Sequence, residues 1–232
     1  MGAHGEPLFD RRGWWDPQVR AFASLRAVSA FRLALLDEWL GGDLRGRAIV
    51  DLGCGGGLLA APLVDRGAAV VGVDVAGTAL REARTAAPQG FQPVVGDLVA
   101  PPVAPACADF VLLADVLEHV EDPVAVVAAA ARLLRPGGRL FVNTIARTQR
   151  ARWLAITLAE GLGYVPKGTH RHDLFVQPAE LAAMAASAGL REVARCGEAP
   201  RLWATVRSGA VQLRKSPSLA VGYAMLFARE AA

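Results

Sequence analysis

The sequence predicts an α/β fold, a mostly parallel central sheet of about seven strands with helices on both faces. Three observations carry that expectation. Short apolar runs over 48–52, 69–74, 91–96, 109–114 and 138–144 alternate with amphipathic stretches, the pattern of strand–helix–strand units stacked into a parallel sheet. The run Ala68-Ala69-Val70-Val71-Gly72-Val73-Asp74 lacks polar alternation, as a strand buried on both faces requires. The run before it, Ile49-Val50-Asp51-Leu52-Gly53-Cys54-Gly55-Gly56-Gly57, ends in clustered glycines that suit a sharp turn into a helix, because Gly adopts positive φ and puts no Cβ in a ligand's way.

Taken in order, residues 1–46 precede the first strand. They contain Trp14-Trp15-Asp16-Pro17 and an amphipathic helix over roughly 22–40. This N-terminal helical appendage is placed to lid the crevice outside the carboxyl ends of the strands, where open α/β sheets bind ligands. Residues 47–232 form the ligand-binding domain. A helix over about 58–66 follows the glycine turn and offers free N–H groups at its start. The later strands alternate with helices, the alanine-rich stretch 125–131 among them. A helical insertion spans 146–180 after the fifth strand, and two weaker strand candidates at 190–196 and 221–229 complete the sheet.

At 232 residues the chain can bury one substantial core. Its hydrophobic fraction of 53% is high, but no apolar run reaches the roughly 18 residues of a membrane span. The start Met1-Gly2-Ala3-His4-Gly5-Glu6 carries no charged-then-apolar signal, so a cytoplasmic protein is expected. Of the 25 basic residues only Lys167 and Lys215 are lysines, an Arg bias that a GC-rich genome produces. No basic stripe interleaved with aromatics points to nucleic acid. Cys54, Cys107 and Cys196 lack metal-binding spacing and read as small apolar fillers in a reducing compartment.

The glycine turn is a nucleotide-cofactor site, with Gly53, Cys54, Gly55 and Gly57 forming it. It loosely satisfies the dinucleotide fingerprint, but Asp51 beside it would repel a pyrophosphate and would accept from an ammonium. The pattern therefore resembles the first motif of class I S-adenosylmethionine-dependent methyltransferases, which implies a Rossmann-like fold and S-adenosylmethionine as cofactor. Asp74, about 20 residues beyond the glycines, is placed to hold ribose hydroxyls. Asp97, with Leu98 beside it, ends the third strand and in this superfamily lies near the adenine. Capping of a strand-to-helix turn is the competing reading for both acids.

After the fourth strand comes Leu117-Glu118-His119-Val120-Glu121-Asp122-Pro123. Together with Trp14-Trp15-Asp16, the glycine turn and Val165-Pro166-Lys167-Gly168-Thr169-His170, it makes the chain resemble the ubiquinone-biosynthesis O-methyltransferases, which act on polyprenylated catechol-type rings. That resemblance spans about residues 14–190. It implies a divalent metal, Mg²⁺ or Zn²⁺, held by Asp115, Glu118 and His119, residues that would share one side of a helical turn. A metal would lower the pKa of a phenol; without one, His119 would be the general base. The resemblance also implies that Arg32 contacts the cofactor and that the backbone near Ala114 lines the adenosyl pocket. Asp115 stands where the family has Glu, and Glu198-Ala199-Pro200-Arg201 where it tends to have Asn-Pro.

Trp14 and Trp15 are expected over the cofactor or the aromatic substrate. The stretch 147–166 leads from basic residues into an apolar helix with Trp153 and Tyr164, which suits a substrate lid, a peripheral membrane contact or a core helix. His170 is expected in the site, closing over the substrate or supplying a base. The expected activity is O-methylation of a phenolic, quinone-precursor-like ring. A methyltransferase for another small molecule and a non-catalytic cofactor-binding scaffold remain the alternatives.

Overall fold

A computed structural model describes residues 9–87 and 89–231, with the side chain of Ala21 left aside. Its strands are β1 (Ala48–Leu52), β2 (Ala69–Asp74), β3 (Phe91–Val95), β4 (Ala108–Ala114), β5 (Leu134–Ile145), β6 (Leu190–Pro200), β7 (Leu213–Ser216) and β8 (Gly222–Arg229). They form one sheet in the order β3-β2-β1-β4-β5-β8-β6-β7. The first five are mutually parallel, and β8 runs antiparallel between β5 and β6.

Side chains alternate across this sheet and build two cores. Val50, Leu52, Val111, Leu113, Leu140 and Val142 meet α4 (Pro123–Leu133) and α6 (Pro178–Ser187) on one face. Ile49, Phe110, Leu112 and Phe141 meet α1 (Ala23–Leu40), α2 (Ala60–Asp65) and α3 (Gly77–Ala86) on the other. The two helices on the first face, α4 and α6, start at side-chain caps. Asp122 accepts from the Ala125 N–H ahead of Pro123, and Gln177 and Glu180 form a capping box around α6.

Two elements differ from the sequence expectation. The sheet has eight strands, because β7 pairs with β6 at the open edge. β7 is too short and too polar to show as an apolar run, and α7 (Leu202–Ser208), which leads into it, is equally brief. The N-terminal helix is also more than a lid. Leu35 and Leu36 of α1 are buried in the second core, so its C-terminal half covers the sheet while its N-terminal half reaches the crevice. After β5 the insertion opens with α5 (Gln149–Arg152) and continues through Trp153–Glu160 in the wider π form, a geometry often found near functional sites. Among the described residues no helix is long and apolar enough to cross a membrane.

Candidate active site

Strand order reverses at β1, with β2 on one side and β4 on the other, so the crevice opens beyond their carboxyl ends. A cavity of about 260 Å³ lies there, lined by Asp51, Gly53, Cys54, Gly55, Asp74, Leu98, Ala114 and Arg32 among others. Gly53 and Gly55 have φ of +78° and +49°. A Cβ on Gly55 would come within 2.6 Å of the Trp14 ring. Gly57 stands behind the cavity lining, where its missing Cβ lets α3 approach, since an added one would lie 2.8 Å from the Ala83 Cβ.

Asp74 ties the loop to the strand. One carboxylate oxygen accepts the Gly55 N–H at 2.8 Å and the other the Ala76 N–H at 2.8 Å, while burial lifts its pKa above the usual range. Asp51 is 2% exposed. Burial and, secondarily, the Asp74 charge push it up to about 7. A buried carboxylate beside a second one is stabilised by a cation, and an anionic pyrophosphate would worsen the repulsion. The chemistry of this pair therefore fits the ammonium and ribose hydroxyls of S-adenosylmethionine and disfavours a dinucleotide.

Asp97 is exposed, stands off the cavity lining, and accepts from the Val99 N–H, the turn-capping alternative. Trp14 is buried, stacks on Phe22 with ring centroids 4.5 Å apart, and lines this cavity where it covers the glycine loop. Trp15 donates from its indole N–H to the Gly56 carbonyl at 2.8 Å and lines neither cavity. The tandem tryptophans thus latch the N-terminal segment onto the loop, because the glycines leave room for a flat ring there.

A second cavity of about 250 Å³ adjoins the first and shares Phe9, Leu25, Arg32, Asp115 and His119 with it. Its polar end holds Glu118, Thr144, His170 and Glu198; Leu154, Leu158, Leu162, Val165, Val206 and Leu213 make the remainder apolar. Tyr164 lines it, whereas Trp153 is half exposed and turned off the lining. Arg32 is buried and pairs with Asp115 and, at 3.4 Å, with Glu198. Both ends of its fork are held by protein carboxylates, while its Nε has no hydrogen-bond partner and the side chain lines the cofactor cavity.

The expected metal set is not brought together. Asp115 sits in the left-handed region at φ +54°, ahead of a single 3₁₀ turn over Leu117–His119, so the three residues do not share a helical face. One Asp115 oxygen is taken by Arg32 and the other accepts from Asn143. Glu118 accepts from the Thr144 hydroxyl at 2.6 Å. Among the described residues no three His, Cys, Asp or Glu side chains are gathered to hold a metal ion.

Burial, with Asp115 nearby, pushes Glu118 up to about 8. Burial lifts Glu198 to about 7 despite Arg32. Burial and, after it, the proximity of His170 bring His119 down to about 4. Glu160, Glu198, Thr144 and Phe9 were not singled out as site residues in the sequence, since each is brought in by a distant segment. Glu160, a lone acid inside an apolar stretch, was the one legible signal.

The fold and the paired acids around the glycine turn define a class I S-adenosylmethionine-dependent methyltransferase, and residues 50–142 match the family described as methyltransferase domain. In fold the chain is similar to a S-adenosylmethionine-dependent methyltransferase, possible histamine N-methyltransferase, from Thermotoga maritima (TM-score 0.67, 19% identity, covering 91% of this chain and 93% of that one). It is likewise similar to magnesium protoporphyrin IX methyltransferase from Synechocystis with bound S-adenosylhomocysteine (TM-score 0.65, 21% identity, covering 93% and 90%). It is 40% identical over 186 residues to the ubiquinone biosynthesis O-methyltransferase of Idiomarina loihiensis, covering 78% of this chain and 76% of that protein. It is 42% identical over 185 residues to that of Xylella fastidiosa, covering 77% and 73%. The chain belongs to the ubiquinone biosynthesis O-methyltransferase family and is a S-adenosylmethionine-dependent O-methyltransferase.

Proposed function

We propose that the chain methylates a phenolic oxygen of a catechol-like, quinone-precursor ring carrying an apolar substituent. The observation that carries this reading is the junction of the two cavities at Arg32, Asp115 and His119, which puts a polar acceptor end against the cofactor cavity and an apolar-lined space behind it. On this reading Asp51, Asp74, Leu98, Ala114 and the glycine loop hold the cofactor. When bound, S-adenosylmethionine supplies a methyl group already activated on a sulfonium, so the protein need only orient and deprotonate the acceptor.

Glu118, whose pKa is raised by burial and by Asp115, is positioned to bond one ring oxygen while the Thr144 hydroxyl donates to its Oε2. The Arg32 guanidinium, fixed by two carboxylates, stabilises negative charge developing at the junction. The apolar walls exclude water. The donor set does not fit a metal, and no step uses one. Exposed Trp153 and Leu162, with Arg150 and Arg152 on the same insertion, support a peripheral membrane contact through 147–166.

The test is methyl transfer to a catechol and to its matching monophenol, each with and without chelator. Turnover of the catechol that survives chelation is expected. Tight S-adenosylhomocysteine binding with turnover of neither ring would refute the phenolic assignment.

A further inference from the structure

The insertion buries one carboxylate that methyl transfer, as described so far, does not use. Glu160 ends the apolar segment Trp153–Glu160 and is 5% exposed. An acid in such surroundings is costly unless it is fully bonded, and this one is. Its Oε2 accepts the Gly168 N–H at 2.7 Å, and its Oε1 accepts the His170 N–H and lies against His170 Nδ1, each at 2.9 Å. Gly168, at φ +80°, turns the loop so that both amides face one carboxylate.

We propose that Glu160 and His170 form a carboxylate–imidazole dyad in which His170 is the catalytic base and Glu160 its positioning residue. The inference rests on the phenolic O-methylation reading above and assigns the proton acceptor within it. An ionised carboxylate can only accept, so the bond to Nδ1 places the ring proton there and leaves the Nε2 lone pair free. His170 lines the acceptor cavity, its ring packed 6.0 Å from His119 and edge-on to Phe175 at 6.0 Å. His119, by contrast, has no carboxylate bonded to either ring nitrogen among the described residues, and burial together with the neighbouring His170 keeps it neutral.

In the proposed step Nε2 takes the hydroxyl proton as the O–H bond breaks. The oxygen pair then forms the bond to the methyl carbon, and the carbon–sulfur bond breaks with its electrons staying on sulfur. Glu160 stabilises the imidazolium so formed, which returns its proton to water after product leaves.

The experiment compares the full chain with Glu160→Gln, Glu160→Asp and His170→Gln on two acceptors, catechol and the far more acidic 4-nitrocatechol. A base is needed for the first and dispensable for the second. On catechol, His170→Gln is expected to lower kcat by roughly 10²-fold or more and Glu160→Gln by roughly 10-fold, within the range of general-base contributions, with Glu160→Asp retaining more activity than Glu160→Gln. On 4-nitrocatechol the same variants should fall by less than about 3-fold, and their S-adenosylhomocysteine affinity should match the wild type, on the view that sites without shared partners act independently. Equal losses on both acceptors would make the pair structural and overturn the proposal, as would no loss on either. Wild-type turnover of neither acceptor would instead sink the phenolic reading on which it depends. If Glu160→Gln fails to fold, His170→Gln on the same two acceptors decides.

Discussion

The two cavities are nearly equal in volume, about 260 and 250 Å³, yet they are built in opposite ways. The cofactor cavity is made chiefly from the turns that follow β1, β2 and β4, each acting within a few residues of the strand that positions it. The acceptor cavity is assembled from Phe9, α1, the turn after β4, the insertion, the β6-α7-β7 edge and the start of β8, with lining residues as far apart in the chain as Phe9 and Gly222. Local construction makes the first cavity legible. Assembly from distant pieces lets the second vary without disturbing the fold.

The largest effect should come from the loop itself. Gly55→Val forces a branched side chain into φ +49° and against Trp14. Strain of about 1–3 kcal/mol together with overpacking of about 1–3 kcal/mol should raise the S-adenosylhomocysteine dissociation constant by about 30-fold or more, measured by calorimetry. Asp74→Ala comes next. It strips the acceptor from the Gly55 and Ala76 amides and should cost roughly 10–100-fold in the same measurement, the penalty of about 1–3 kcal/mol for unpaired buried groups.

Glu198→Gln sharpens the contrast from the other side. It removes one of the two carboxylates paired with buried Arg32, and because Glu198 lines only the acceptor cavity the acceptor KM should rise by roughly 10-fold, several-fold more than the change in S-adenosylhomocysteine affinity. Equal effects on both ligands would show that the cavities are not separable in this way.

A smaller effect is expected from pH. Burial and the Asp74 charge lift Asp51 to about 7, and on the reading proposed above its ionised form holds the cofactor ammonium. Affinity should therefore weaken as pH falls below about 7, by no more than about tenfold per unit, and Asp51→Asn should flatten that dependence. A wild-type affinity constant from pH 8 to 6 would remove Asp51 from the ammonium site. The smallest effect is Trp153→Ala. That half-exposed ring lies off the cavity lining, so stability should move by less than about 0.5 kcal/mol and turnover of a water-soluble catechol should hold, while sedimentation with anionic vesicles should decrease.

Legibility in the sequence follows the same division. The bounds of β1 and β2, Ala48–Leu52 and Ala69–Asp74, were readable because buried parallel strands are apolar runs stopped by glycine or acid. Asp51, Asp74 and the glycines were readable because turn chemistry is local. β7 left no trace, being an edge strand with a polar sequence, Leu213–Ser216. The spacing of Asp115, Glu118 and His119 suggested a shared helical face, but Asp115 adopts a left-handed conformation that a one-dimensional pattern does not reveal. Arg32 and Asp115 were each legible as site residues, whereas their pairing across 83 residues and the second partner Glu198, 166 residues from Arg32, were not. Trp153 and Tyr164 share one apolar stretch, and only the path of the π-form helix decides that Tyr164 faces inward.

Arg32, Asp115 and His119 form a common wall between the two cavities, and a wall has two sides. A ligand that orders these side chains from one cavity lowers the entropic cost for a ligand entering the other, and such coupling is reciprocal in free energy. Acceptor should therefore tighten S-adenosylhomocysteine by the same factor with which S-adenosylhomocysteine tightens acceptor. In kinetic terms the spent cofactor would leave more slowly while a second acceptor is present, giving turnover that declines at high acceptor concentration.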